Sequence, residues 1–295
     1  MSIEYLHAIF NYLEKSRIRM YRMSSDVAPY VTHPDLPQFR RQIAESRSEL
    51  AELGRRANQM DLRLSFHPSQ FIVMNAPDKA LRRQSVRDLA AQAEILDLMD
   101  LGPEAVLVIH VGGAYDDKSA AMDRWAACYR DLPEHARRRL VLENDDVRFS
   151  AADVLSIHER TGVPLVFDMQ HHQCLNPEGL PWRSTLERFL HTWPNSIRPK
   201  IHYSSPRTQM REVLHVDGKT GRKKKVLQPP RWTAHADYIH PFDFIRFAWE
   251  TRKLEFDIML EAKAKDLALH RLRQDILCYA PQLQDRFGAP GVRER

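Results

Sequence analysis

Short apolar runs alternate along this chain with longer stretches of helical period. Ile3, Leu6, Ile9, Phe10 and Leu13 recur at three- and four-residue spacing and predict a helix over 2–14. The run 18–23 (IRMYRM) reads as a strand, and prolines at 34 and 37 mark a loop after it. A long amphipathic helix is predicted over 38–60. Further strands are predicted at 62–66, 105–109, 139–142, 163–167, 200–203 and 256–260. Helices are predicted at 78–101, 116–130, 150–161, 184–192, 242–253 and 262–279, with Ser150 a fitting N-cap.

Strands alternating with helices predict a parallel sheet. Seven strands are counted, and the chain opens on a helix. The expected class is α/β, a TIM-type (β/α)8 barrel lacking its first strand, which would precede residue 1. A single barrel domain over 1–280 is expected, with a loose tail over 281–295.

The chain has 295 residues, 43% of them hydrophobic, which is enough for a full core. Cys128, Cys174 and Cys278 form no C-x-x-C pair, so neither a disulfide framework nor a thiolate zinc site is implied. The start lacks the basic-then-apolar pattern of a signal peptide. No apolar run is long enough to span a bilayer. A cytoplasmic protein without membrane contact is the expectation. A net charge of +5 suits a polyanion partner without requiring one.

Fourteen histidines is high for this length, and where they fall matters more than their number. The stretch 165–172 reads LVFDMQHH, an apolar strand ending in Asp168 and followed by His171 and His172. The pattern recurs at His67, His110, Glu143, His202 and Glu261, each at the end of an apolar strand. In a barrel all these ends gather on the C-terminal face, where such folds keep their sites. Imidazoles with carboxylates suit zinc, manganese or iron. The ligands exceed the needs of one ion, so Glu143 is placed to bridge two, and clustered metals suit phosphodiester hydrolysis.

Taken singly, His67 or His110 is as readily a hydrogen-bonding residue of the barrel rim, and Glu143 or Glu261 as readily half of a salt bridge. Recurrence at six separate strand ends decides for a metal cluster. His158, His191, His215 and His270 have no such context and read as packing or surface residues. His172 and His240 sit beside candidate ligands and stay open. The run Arg222, Lys223, Lys224, Lys225 reads as a solvated loop or as a track for a DNA backbone. Gln70 and Phe71, just past His67, read as loop packing or as an amide and a ring suited to entering a base stack. Gly112 and Gly113 allow a close backbone approach or a simple turn.

The segments HPSQF (67–71), VIHVGGAY (108–115), LVLENDD (140–146), VFDMQHH (166–172), KIHYSS (200–205), HADYIHP (235–241) and MLEAKAKDLAL (259–269) together resemble the UV damage endonucleases. The resemblance extends over about 17–272, and the broader relative is the endonuclease IV type of trinuclear barrel. It implies a TIM barrel that nicks damaged double-stranded DNA on the 5′ side of UV photoproducts, and at other lesions including abasic sites. It also implies a cluster of three divalent ions, manganese first, with zinc or magnesium as alternatives. By position, His67, His110 and Glu143 resemble the ligands of one metal; Glu143, Asp168, His202 and Glu261 those of a second; and His171 with His235 those of a third. Lys200 matches a lysine that can be carboxylated, and His33 matches a histidine near the family's active site.

The chain departs from the family in two ways. Phe71 stands where the family has tyrosine, and the strand that carries a probing tyrosine and an asparagine is missing. A monomer with no obligate protein partner is expected. The rival expectations are a metal-dependent sugar isomerase or epimerase barrel and a catalytically weakened lesion-binding member.

Overall fold

A computed structural model describes residues 2–218 and 220–287. Its strands are β1 (Met20–Met23), β2 (Arg63–Phe66), β3 (Val106–Ile109), β4 (Leu140–Glu143), β5 (Leu165–Asp168), β6 (Lys200–Tyr203), β7 (Arg211–Val216), β8 (Lys223–Gln228) and β9 (Asp257–Leu260). Seven of them form one parallel sheet in the order β1-β2-β3-β4-β5-β6-β9, while β7 and β8 pair apart as an antiparallel hairpin. Helices pack around the sheet as expected of a TIM-type barrel. No described helix is long and apolar enough to cross a membrane.

The strands from β2 to β6 are buried on both faces, which is why their sequences run apolar rather than alternating. Leu107, Ile109, Leu140, Leu142, Leu165, Phe167 and Ile201 point outward and join the main core with the helices. Val106, Val108, Val141 and Val166 point inward and close on Trp193 in a second, smaller core. This period of two sets the site. The inward positions continue upward from Val108 to His110, from Val141 to Glu143 and from Val166 to Asp168.

β1 and β9 do not pair with each other, so the barrel is open along one seam. A cavity of about 1970 Å³ occupies the seam, lined by Met20, Tyr21 and Arg22 on one side and Ile258, Leu260 and Glu261 on the other. Two terminal helices bridge the seam on its outer side. Tyr12, on the helix Ile3–Lys15, donates to Asp266 at 2.7 Å at the start of the helix Asp266–Tyr279. From the latter helix Arg273 donates to the carbonyls of Ser16 and Arg17 at 2.9 and 2.8 Å.

Three expectations are corrected. The helix over 38–60 is broken into a 3-10 turn Pro37–Phe39, a short helix Gln42–Glu45 and a helix Arg47–Gln59. The break falls at Ser46, whose φ of −99° and ψ of 19° leave the helical range, and serine is a weak helix former. The run 222–225 is not a solvated loop: Lys223, Lys224 and Lys225 lie in β8, which pairs with β7 through Val213↔Val226 and Leu214↔Lys225. Interleaved lysines hid the strand pattern. The tail is not loose from 281: Pro281–Phe287 is a 3-10 helix whose Leu283 is buried and whose Arg286 donates to the Leu254 carbonyl at 2.8 Å. The rest of the expected tail, 288–295, lies outside the described residues.

Candidate metal centre

Every strand-end group singled out by the sequence lies at the C-terminal mouth of the barrel, around the fully buried Glu143. His202 Nδ1 lies 2.7 Å from Glu143 Oε1, and His171 Nδ1 lies 3.6 Å from the same oxygen. His67 Nε2 and His110 Nε2 lie 3.1 and 3.6 Å from Oε2. One carboxylate is therefore bracketed by four imidazoles, three at or near the ends of β2, β3 and β6 and one on the helical turn after β5. Glu261 extends the cluster, with Oε1 3.3 Å from His202 Nδ1 and Oε2 3.5 Å from His235 Nε2.

Asp168 is placed by its neighbours. It caps the short helix Met169–Cys174, accepting from the His171 amide at 2.7 Å. Asn144, next to Glu143, locks the backbone of Asp168 with hydrogen bonds of 2.9 and 3.1 Å, and its carbonyl accepts from His171 Nδ1 at 2.9 Å. That bond fixes the His171 tautomer and leaves Nε2 for a cation. His172 points the other way, with Nε2 3.0 Å from the Leu180 carbonyl and its ring against Phe167. His240 caps the helix Pro241–Glu250. Neither joins the cluster.

The ligand atoms fall into two overlapping groups: His67, Glu143, His202 and Glu261, and His110, Glu143 and His171. Glu143 is common to both, as expected of a bridge. The histidines group differently from the partition implied by the resemblance, with His67 beside His202 and His110 beside His171. Among the described residues, Asp168 Oδ2, His110 Nδ1 and His235 Nδ1 are buried with no hydrogen-bond partner. A buried carboxylate oxygen such as Asp168 Oδ2 is costly unless something else satisfies it, and a divalent cation does; the two orphaned imidazole nitrogens lie on the far side of rings whose Nε2 atoms face Glu143 and Glu261. The donor set fits such a cluster.

Electrostatics at the mouth are strongly perturbed. Burial opposes the Glu143 charge, but the imidazoles of His202 and His110 outweigh it and hold the carboxyl well below the usual range. Burial, again outweighed by His202 and then Arg22, leaves Glu261 lowered. Burial pushes Asp168 up to about 7. For His171 burial is outweighed by Asp168 and Glu143, and its pKa rises to about 9. Burial takes His202 down to about 4 and also lowers His110 and His235.

One participant was missed by sequence reasoning. Arg22, on β1, points into the barrel, lies 3.1 Å from His202 Nε2 and pairs with Glu261. Ligand chemistry does not single out a cation among cation ligands, although the inward register of β1 carries the signal. Lys200 lies below the cluster, fully buried, donating to Ser65 Oγ at 2.9 Å. Burial, reinforced by the positive charges of Arg22 and Arg63, holds its amine well below the usual range. His33 is not brought into the cluster: its Nδ1 accepts from the Asp35 amide at 3.2 Å and its ring packs on Tyr30.

Gln70 and Phe71 sit at the tip of the loop after β2, and Phe71 is 76% exposed, which removes loop packing as its role. The loop is anchored through Asn75, which donates to the Gly113 carbonyl at 2.7 Å. Gly112 permits this approach: its φ is +110°, and a Cβ there would lie 2.6 Å from Asn75 Oδ1. Arg222, Lys223, Lys224 and Lys225 lie on and beside β8, away from the cluster in sequence but joined to it through the base of the hairpin. There Pro206 bridges to His235.

The family model of the UV-endonuclease UvdE matches residues 2–282. A UV DNA damage endonuclease of Bacillus velezensis is 34% identical over 269 residues, covering 90% of this chain and 77% of that protein. The crystal structure of SacUVDE superposes with a TM-score of 0.77 at 29% identity, covering 98% of this chain and 87% of that one. Endonuclease IV from Thermus thermophilus shares the fold, with a TM-score of 0.51 at 14% identity over 95% of this chain and 84% of that one.

Proposed function

The chain belongs to the UV-endonuclease UvdE family, and on that premise we propose that it nicks damaged double-stranded DNA beside UV photoproducts by metal-dependent hydrolysis. The observation that carries the reading is Glu143, buried and bracketed by four imidazoles at the mouth of the barrel. Family membership sets the sugar isomerase reading aside.

His67, His202, Glu143 and Glu261 would hold one divalent ion, and His110, His171 and Glu143 another, which are the two groups the geometry forms. Asp168 and His235 would complete a third site, with manganese the expected ion. Bound there, divalent ions supply Lewis-acid charge to the scissile phosphate and lower the pKa of water at neutral pH. The chain's own residues do the rest. Asn144 fixes Asp168 and the His171 tautomer. Phe71 and Gln70, held out in solvent, fill the space left when damaged nucleotides leave the stack. Arg222, Lys223 and Lys224 neutralise phosphates.

Nicking of defined photoproduct and abasic duplexes in manganese tests the reading. The wild-type chain should cut 5′ of the photoproduct, and Glu143→Gln should abolish cutting. Full activity in that variant would sink the cluster assignment, and an inactive wild-type chain would sink the function.

A further inference from the structure

The hairpin β7–β8 has no place in the barrel's core, and neither strand contributes a residue to it. It is nonetheless ordered through a firm base beside the metal centre. Pro206 bridges to His235, the Arg207 amide donates to the Ala234 carbonyl at 2.7 Å, and the Ala236 amide to the Ser205 carbonyl at 2.8 Å. Gln170 donates to the Trp232 carbonyl at 2.6 Å, and Arg211 pairs with Asp237 at 3.8 Å. The far end is closed by Asp217, whose amide donates to the Arg222 carbonyl at 3.0 Å, and by Gly221 at φ +67°.

Resting on the DNA reading above, we propose that this hairpin is a β-ribbon arm that lies in a groove of the duplex flanking the lesion and holds the DNA against the metal centre. A two-stranded ribbon fits the major groove in cross-section. Six residues per strand reach about 20 Å, or about six base pairs at ~3.4 Å each.

The side chains favour DNA over a protein surface. Leu214, Val216 and Leu227 are 64%, 52% and 59% exposed, yet each apolar residue on that face stands opposite a charged one: Leu214↔Lys225, Val216↔Lys223 and Glu212↔Leu227. The interleaving leaves no contiguous apolar patch for a dry protein interface, whose centre is poor in lysine. It suits a ribbon that touches base edges between phosphate contacts. Lys225 is paired with Glu212 at 2.6 Å, whereas Arg222, Lys223 and Lys224 have no ion pair among the described residues. Three cations therefore remain for phosphates.

Binding of the full chain to undamaged and photoproduct duplexes is measured as a function of salt. Replacing Arg222, Lys223 and Lys224 together by Gln should reduce the slope of log affinity against log salt by about 2.7. Val213→Pro keeps every charge but breaks the ladder, and it should weaken binding as well. Lys253→Gln, at the other end of the barrel, should leave the slope unchanged. Trimming the duplex to within a few base pairs of the lesion on the arm's side should erase the difference between the triple variant and wild type. A wild-type slope in the triple variant, wild-type affinity in Val213→Pro, or a difference that survives trimming would overturn the arm. The two readings fail separately. Hairpin-dependent binding without nicking would sink the function and keep the arm, and nicking with an unchanged slope would do the reverse.

Discussion

Metal uptake at this centre should release protons, and His171 sets the size of the effect. Its pKa stands at about 9 because Asp168 and Glu143 outweigh the cost of burial. A histidine ligates only as the neutral ring. Each pH unit below that value therefore costs about tenfold in apparent affinity, or ~1.4 kcal/mol. Relative to the fully neutral ring, the loss at about pH 7 is about a hundredfold, ~2.8 kcal/mol. Below about pH 7 the raised Asp168 carboxyl also takes up a proton, and the dependence steepens.

The metal-free chain should show the opposite trend. A raised histidine pKa stabilises the fold fully below the ordinary value of about 6.5 and loses that contribution as pH rises through about 9. Manganese titrations of metal-free protein against a chromophoric chelator, at fixed ionic strength across this range, read the affinity directly. Thermal melts with and without manganese read the two opposing trends. Asp168→Asn removes the leading source of the raised pKa, so the pH dependence above about 7 should shrink in that variant. An affinity that stays flat across the range would refute the combination of a raised His171 pKa with metal ligation by that ring.

Two more outcomes follow from the geometry. Phe71 is largely exposed, so Phe71→Ala should leave the melting temperature unchanged while weakening binding to photoproduct duplex by ~1–3 kcal/mol, the worth of one base–aromatic stack. Equal loss on undamaged duplex would remove its lesion-probing role. Lys200 is buried with its amine held well below the usual range, and an uncharged amine adds carbon dioxide, forming a carbamate and releasing one proton. A carbamate resonance should appear in carbon-labelled bicarbonate and be missing from Lys200→Met; its absence from the wild-type spectrum would show an unmodified lysine.

How much of this was legible before the fold was known depends on the period of the strands. His110, Glu143, Asp168 and His202 each sit an even number of residues from an inward-facing neighbour, Val108, Val141, Val166 and Lys200 in turn. Once the strand ends are read correctly, their convergence follows from the barrel alone. The same register points Arg22 inward, but its charge is opposite to what a ligand search seeks, so the rule found the position and the chemistry hid it. Which histidine lies beside which was not legible at all. His67 meets His202 and His110 meets His171 across the barrel's diameter and curvature, which no spacing along the chain encodes. The hairpin failed for a third reason. Its cross-strand pairs set valine and leucine against lysine, and an element exposed on both faces never shows the one-sided pattern by which strands are recognised. The apolar pattern therefore reveals what the fold buries. The parts proposed to meet DNA, Phe71 on its loop and the cations of the arm, stay outside that pattern because the partner proposed for them is not part of the chain.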